Sequence, residues 1–384
     1  MDALVLGGTG PTGPLIVNGL LERGYNVTIM HGGFHHVEFA GPVEDLHGDV
    51  HFKETLEETL GNRTWDLMIA MYGRLRLTAD AAVGRTDRFI GVGAGGGRAP
   101  AHDPSWGPLG RPFAPRSDDE LYFGASGGFG DGIARATQYV LDHHNAGHYS
   151  ASYIGYAPGY GPRQPGPEDW SVVRRILDGR KQFIIADGGI KLHNRVYVEN
   201  AAHALLLAVD KPKEADGNFF SVGELPRYTM RQRIELIAKT MGADLELVDM
   251  PYPLASLAPA CNYFWQSGPG HAARDDSKIR EVLGFTEIVD PAEAQIRTTN
   301  WLLENQKEFR DEWEMQMADT WDYAGEDELI RRWKKAYADV ASVEIEPMLR
   351  VHRYRHPKAP NEPWQRPDAE AVERFAGRRE IDYY

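Results

Sequence analysis

Gly7, Gly10 and Gly13 recur every third residue in the stretch Gly7-Gly8-Thr9-Gly10-Pro11-Thr12-Gly13. Each has a chemical use. Gly7 permits a tight turn, Gly10 lets the main chain approach a pyrophosphate, and Gly13 lets a following helix pack close to the preceding strand. Thr9, Pro11 and Thr12 complete a loop that opens onto a helix N-terminus, where free N–H groups and the helix dipole favour an anion. The spacing is G-x-x-G-x-x-G rather than the G-x-G-x-x-G of most dehydrogenases. The structural alternative is an ordinary strand-to-helix turn.

The flanking residues decide between these readings. Ala3 to Leu6 is an apolar run with the look of a buried strand, and an amphipathic helix carrying Leu15, Ile16, Gly19 and Leu20 follows the glycines. Gly24 stops that helix, as a C′ glycine does. Val27 to Met30 is a second apolar strand. Strand, glycine turn, helix, strand is the βαβ unit that holds a dinucleotide.

Other candidate residues stand where further strands should end. His31 closes the second strand, the place where an acidic residue would favour NAD and a nearby Arg would favour NADP. Neither is present, since Gly32 and Gly33 follow, so NAD and NADP both stay open. His35 and His36 can pair with a phosphate or lie on a loop surface. With His31 they also invite a metal reading, which the lack of a fixed ligand spacing in a glycine-rich loop disfavours, and no metal is expected. Asp49 ends a third strand, Leu46 to Val50, placed to meet an adenine amino group. Trp65 to Met71 reads as a fourth strand, apolar on both faces as in a parallel sheet, and Arg88 to Val92 as a fifth. Val50, Ala70, Met71, Tyr72 and Gly93 therefore join the glycine turn as expected cofactor-binding residues.

Tyr72, Tyr122, Asp131 and Tyr160 are the candidates for acid–base work, because they fall near strand ends or within glycine-dense loops. Each has a structural alternative: Tyr72 can cover the adenine, Asp131 can cap a helix before Ile133, and Tyr160 can simply brace a turn. His143 and His144 read as an exposed helix end, and His193 as surface or substrate-facing.

The elements that must position these groups follow in order. Helices are expected at about Ile133 to Asn145, Trp170 to Leu177, Ala201 to Val209 and Met230 to Met241. Strands are expected at Tyr149 to Tyr156, Phe183 to Ala186, Arg195 to Val198, Asn218 to Val222 and Leu245 to Val248. Beyond Asn300, helices at Trp301 to Trp313, Leu329 to Val340 and Glu370 to Phe375 surround an arm, Val351 to Pro367, rich in Trp, Tyr, Arg and Pro. That arm can wrap a partner subunit, cover the site, or pack on its own domain.

Composition narrows the class. The chain has 384 residues, 42% of them hydrophobic, enough for a large core and more than one lobe. Its formal net charge of -14 argues against nucleic acid, which needs a basic footprint. The single cysteine, Cys261, excludes an internal disulfide and a multi-cysteine zinc site. A strand begins within three residues of Met1, so no signal peptide is expected, and no apolar run approaches the ~18 residues of a membrane span. A cytoplasmic protein without membrane attachment is the expectation.

The order GGTGPTG, HGD, YGPRQP, RVYVENAAHALLLAV, GNFFSVGELPRYTM and DDSKIREVLGF resembles the extended short-chain dehydrogenase/reductase superfamily, the NAD-dependent epimerase/dehydratase group. The glycine spacing is closest to its atypical members, some of them RNA-associated. The resemblance covers about residues 1 to 305. It implies an α/β fold: a Rossmann-type doubly wound parallel sheet at 1–165 that receives later segments near 190–210. A smaller substrate lobe at 166–305 and a helical C-terminal extension at 306–384 would follow. It implies NAD or NADP, a small-molecule substrate and a homo-oligomer such as a dimer. It also implies a Tyr and Lys spaced Y-x-x-x-K and a Ser or Thr after the fifth strand. Here Phe129 and Ile133 occupy the first two positions, and Gly93 and Ala94 the third. Neither Tyr122 nor Tyr139 has a Lys four residues on.

The expected function is therefore an NAD(P)-binding oxidoreductase or epimerase-like enzyme working without the usual Tyr–Lys pair. Tyr263, Phe264, Trp265 and Trp106 favour an aromatic or apolar substrate. A nonredox lyase or decarboxylase on the same scaffold is the alternative, and a catalytically lapsed regulatory or RNA-associated cofactor binder is a third reading.

Overall fold

The computed structural model describes residues 1–33, 37–71, 74–95, 129–258, 271–345 and 359–361. Tyr72, Trp106, Tyr122, Cys261, His35, His36, the aromatic run 263–265 and the helix expected at Glu370 to Phe375 lie outside them, as does most of the Val351 to Pro367 arm.

The chain runs β1 (Asp2–Leu6), α1 (Gly13–Glu22), β2 (Asn26–His31), β3 (Val43–His47), α2 (Lys53–Leu60), β4 (Leu67–Met71), α3 (Leu75–Ala82), β5 (Arg88–Ala94), α4 (Phe129–Asn145) and β6 (Ser150–Tyr156). It continues through β7 (Gly159–Tyr160), α5 (Trp170–Leu177), β8 (Gln182–Ala186), β9 (Val196–Tyr197), α6 (Val198–Asp210), α7 (Pro212–Ala215), β10 (Phe219–Val222), α8 (Met230–Thr240) and β11 (Glu246–Met250). The helices α9 (Tyr252–Ala255), α10 (Ser277–Leu283), α11 (Pro291–Met317) and α12 (Tyr323–Ala341) complete it.

Seven strands form one parallel sheet in the order β3-β2-β1-β4-β5-β6-β10. The order reverses at β1, so the switch point, where such sheets open a crevice for ligands, lies between β1 and β4. The period-2 alternation of the strands divides the core. Ala3, Val5, Ile29, Ile69, Ile90 and Val92 face α1 and α6, against Ile16, Leu20 and Leu205. Leu4, Leu6, Met30, Met68 and Phe89 face the other way, against α2, α3 and α4 through Leu56, Ala79 and Val140. Each such side chain contributes about 1.5–3 kcal/mol when fully buried.

Several elements differ from the sequence reading. The third strand is Val43–His47, so Asp49 and Val50 stand in the turn beyond it rather than at its end. This edge strand is half exposed and lacks the apolar run that marks a central one. The late strand that joins the main sheet is β10, beside β6, whereas β9 pairs only with β7 and β8 only with β11. Helix α4 starts at Phe129, a turn before Ile133. Helix α11 starts at Pro291 because Asp290 caps it, its carboxylate accepting from the N–H groups of Ala292 and Glu293.

The chain divides into two compact units, Met1–Asp327 and Glu328–Tyr384. The first includes residues 306–327. There Trp313 is buried against Trp170 of α5 at a ring distance of 5.1 Å, and Arg175 is buried with Asp319 and Glu326 at 2.9 and 2.6 Å. In the second, Glu328 pairs with Arg331 and Arg332 along exposed helix. Among the described residues no helix is long and apolar enough to cross a membrane.

Candidate active site

The glycine turn sits at the switch point. Gly7 and Gly8 both hold positive φ, 113° and 91°, in the conformation that favours glycine. A Cβ on Gly7 would stand 3.0 Å from the carbonyl oxygen of Met71, so the turn lies directly against the end of β4. The Gly7 N–H donates to the Met30 carbonyl at 2.8 Å, tying it to β2 as well. A Cβ on Gly13 would fall well inside 3.0 Å of the Gly8 backbone, whereas nothing lies within 4 Å of one on Gly10. Gly13 thus holds helix and turn together, and Gly10 faces open space.

Helix α1 begins without a capping or acidic side chain of its own. Thr12 makes no side-chain cap bond, Pro stands in the first turn, and that turn has no acidic residue. The orphan N–H groups and the positive helix end therefore remain available to an anion. A cavity of about 340 Å³ opens beside it, lined by Pro11, Thr12, Tyr156, Ala157, Gln164 and Val198. A second, of about 480 Å³, lies on the other side of Pro11 against Val37, Glu38 and Arg163. These features fit a bound dinucleotide, with Gly7 to Gly13 at its pyrophosphate.

At the end of β4, Ala70 is fully buried and Met71 nearly so. At the end of β5, Gly93 has a neighbour the sequence reading did not foresee. A Cβ there would fall well inside 3.0 Å of the Tyr153 hydroxyl of β6. The phenol fills the room that a Ser or Thr side chain would need. Its one advance signal is a Tyr in the middle of a buried strand, Ser150–Tyr156. Nearby, the Arg274 guanidinium lies 3.4 Å from the place of a Gly95 Cβ, and burial pushes its pKa down, against the pull of Asp276 and Tyr153. Asp131 stands in the first turn of α4, inside the helix rather than at its cap, where a negative charge suits the dipole.

At the β2–β3 edge, His31 is buried to 9% exposure. Its Nδ1 accepts from the Gly33 N–H at 3.1 Å and its Nε2 meets Asp45 Oδ1 at 3.0 Å. His47 approaches the other Asp45 oxygen at 3.5 Å. His31, Asp45 and His47 offer atoms near enough to one another for a metal ion. The Gly33 bond, however, leaves the ring proton on Nε2, where a ligand lone pair would have to be, so these contacts are hydrogen bonds. Asp49 is exposed. The N–H and ring of His51 both bond its carboxylate, at 2.8 and 2.7 Å, and hold its pKa below the usual range.

Tyr160 is placed in the interior. It is 1% exposed, its hydroxyl donates to Glu224 Oε2 at 2.9 Å, and burial next to Glu224 pushes its pKa up. A phenol enclosed in this way has no face for a substrate proton, which corrects its reading as an acid–base candidate: it ends β7, paired with Tyr197 of β9, and the Arg195 and Arg233 guanidiniums lie over its ring at 4.6 and 5.0 Å. Glu224 also accepts from the Tyr197 N–H and Asn200 at 2.8 and 2.7 Å. Arg195, buried beneath, pairs with Asp169 at 3.0 Å. His193 is buried too, its Nδ1 without a partner among the described residues, and burial with Arg195, Lys191 and Arg233 nearby lowers its pKa to about 3. It is therefore not the surface residue its loop suggested.

No family model matches the chain. Among curated proteins, the uncharacterized protein y4nL of Sinorhizobium fredii is 25% identical over 171 residues, which are 39% of this chain and 46% of that protein. The chain thus spans about half the length of that relative. Solved structures match over far more of it. The dTDP-glucose 4,6-dehydratase of Bacillus anthracis, solved with NAD, superposes with a TM-score of 0.61 at 16% identity, over 81% of this chain and 99% of its own. The UDP-glucose 4-epimerase of Thermotoga maritima, solved with UDP-glucose, gives 0.62 at 19%, over 79% and 99%. The Streptomyces venezuelae dTDP-glucose 4,6-dehydratase, solved with NAD and TYD, gives 0.60 at 17%, over 81% and 100%. The fold is the one these dehydratases and epimerases share.

Proposed function

We propose that this protein is an NAD(P)-dependent enzyme of the epimerase/dehydratase type that acts on a small organic molecule without the usual Tyr–Lys pair. The observation that carries the reading is the uncapped start of α1, set by Gly7 and Gly13 against the end of β4 at the sheet's switch point. Bound there, a nicotinamide supplies the hydride acceptor or donor. The chain's own residues would do the rest. The N–H groups of the turn hold the pyrophosphate, the ends of β4 and β5 border the nicotinamide, and the buried lobe around Tyr160 and Arg195 stiffens the wall facing it. The proton relay falls to groups other than Phe129 and Ile133, with Tyr72, Tyr122 and Asp131 as the candidates.

The test is direct. Intrinsic fluorescence should change on titration with NADH or NADPH, and UDP-glucose and dTDP-glucose, as the ligand or named substrate of the structural neighbours, are the first molecules to assay for turnover. Failure to bind either dinucleotide at millimolar concentration would remove the proposal. The loss of the Tyr, Lys and Ser/Thr positions favours one second reading, a nonredox lyase. Turnover that persists in protein stripped of dinucleotide would select it.

A further inference from the structure

We infer that Asp45, a residue of β3, takes over the ribose-binding role that the end of β2 has lost, so that the chain binds NAD in preference to NADP. The inference rests on the dinucleotide reading above. In such sheets an acidic side chain about 20 residues beyond the glycines bonds the ribose 2′-hydroxyl, and an Arg nearby accommodates a 2′-phosphate. His31 holds that place here and can do neither.

Both of its ring nitrogens are engaged. Nδ1 accepts the Gly33 N–H at 3.1 Å, so the proton lies on Nε2 and is donated to Asp45 Oδ1 at 3.0 Å. The ring is 9% exposed and meets His47 edge-on at 5.1 Å. What it presents to the ribose position is the carboxylate it holds. The Asp45 side chain is 40% exposed, and its Oδ2 is 3.5 Å from His47 Nε2. Among the described residues no Lys or Arg pairs with it.

The placement follows from register. His31 is opposite His47 across the β2–β3 pair, and Asp45 is two residues before His47 and so on the same face. The acid is thus carried to the end of β2 from the neighbouring strand. A ribose diol can donate to a carboxylate held in this way. A 2′-phosphate would bring two negative charges against it, and the groups that pair with it among the described residues are imidazoles.

The measurement is the affinity of the full chain for NADH and for NADPH, by fluorescence titration at pH 8, in the wild type and in Asp45→Asn. We expect the wild type to favour NADH by at least about tenfold, and Asp45→Asn to bring the ratio below about threefold, mainly through tighter NADPH binding. Equal affinities in the wild type, a preference for NADPH, or an unchanged ratio in an Asp45→Asn protein with a wild-type thermal midpoint would overturn the inference and leave the dinucleotide site standing. Binding of neither dinucleotide would overturn the site itself, and this inference with it.

Discussion

The Tyr153 hydroxyl occupies the space beside Gly93 in which a side chain on that residue would begin. The two belong to adjacent parallel strands, β5 and β6, and the phenol also reaches the Ala94 carbonyl at 3.4 Å. A Ser at 93, the residue type the family resemblance implies there, cannot be added alone. Gly93→Ser should cost about 1–3 kcal/mol through overpacking. Removing the hydroxyl leaves the ring Cζ at 3.3 Å, close but tolerable, so Gly93→Ser in a Tyr153→Phe background should recover much of that cost. Urea unfolding of the two single variants and the double one measures the coupling. Strictly additive effects would contradict this account of Gly93.

Gly10 and Gly13 should separate binding from folding. Gly13→Ala drives a methyl into the Gly8 backbone, which cannot swing aside, and should destabilise the domain by several kcal/mol or prevent its folding. Gly10→Ala meets nothing within 4 Å, so it should melt within about 0.5 kcal/mol of the wild type while losing affinity for dinucleotide. Thermal melts and NADH titration of the two proteins distinguish these outcomes. A Gly10→Ala variant that binds as tightly as the wild type would place the pyrophosphate elsewhere.

Arg175 joins α5 to the segment after α11. It is fully buried, its guanidinium donates to Glu326 at 2.6 Å and to Asp319 at 2.9 Å, and it lies 4.9 Å from the Trp321 ring. Arg175→Met would take the cation from buried Asp319, leave Glu326 with Arg180 at 3.9 Å, and should cost about 3–5 kcal/mol. Chemical denaturation measures this. A loss under about 1 kcal/mol would mean that the segment around Asp319 is not held by this residue.

His193 makes stability depend on pH. Its folded-state pKa is lowered to about 3, by burial first and then by Arg195, Lys191 and Arg233. Unfolded, the same ring titrates near 6.5. Between these values the unfolded chain binds a proton that the folded one refuses, so stability falls as pH drops below about 6.5, by about 1.4 kcal/mol per unit for this one group. The wild type should therefore melt lower at pH 5 than at pH 7.5, and His193→Gln should shrink the difference. An unchanged difference in that variant would assign the acid sensitivity to other groups.

The sequence by itself determined the first βαβ unit and the parallel character of the sheet. These are local properties. Glycine spacing, an apolar run of strand length and a helical period are written in neighbouring residues, and backbone sterics turn them into structure wherever they occur. Only the tertiary structure decided the roles of Asp45, Tyr153, Tyr160 and Arg175. Asp45 reaches His31 because β3 pairs beside β2 in one register, and a shift of one residue would turn it to the other face. Tyr160 ended a strand in a glycine-rich loop, the usual address of a reactive group, yet its lobe closes over it. Arg175 and Glu326 are 151 residues apart, and no local pattern records that α5 and the chain beyond α11 will meet. Such contacts are fixed by how whole elements pack, because the cost of burying a charge is met only by the partner that packing delivers.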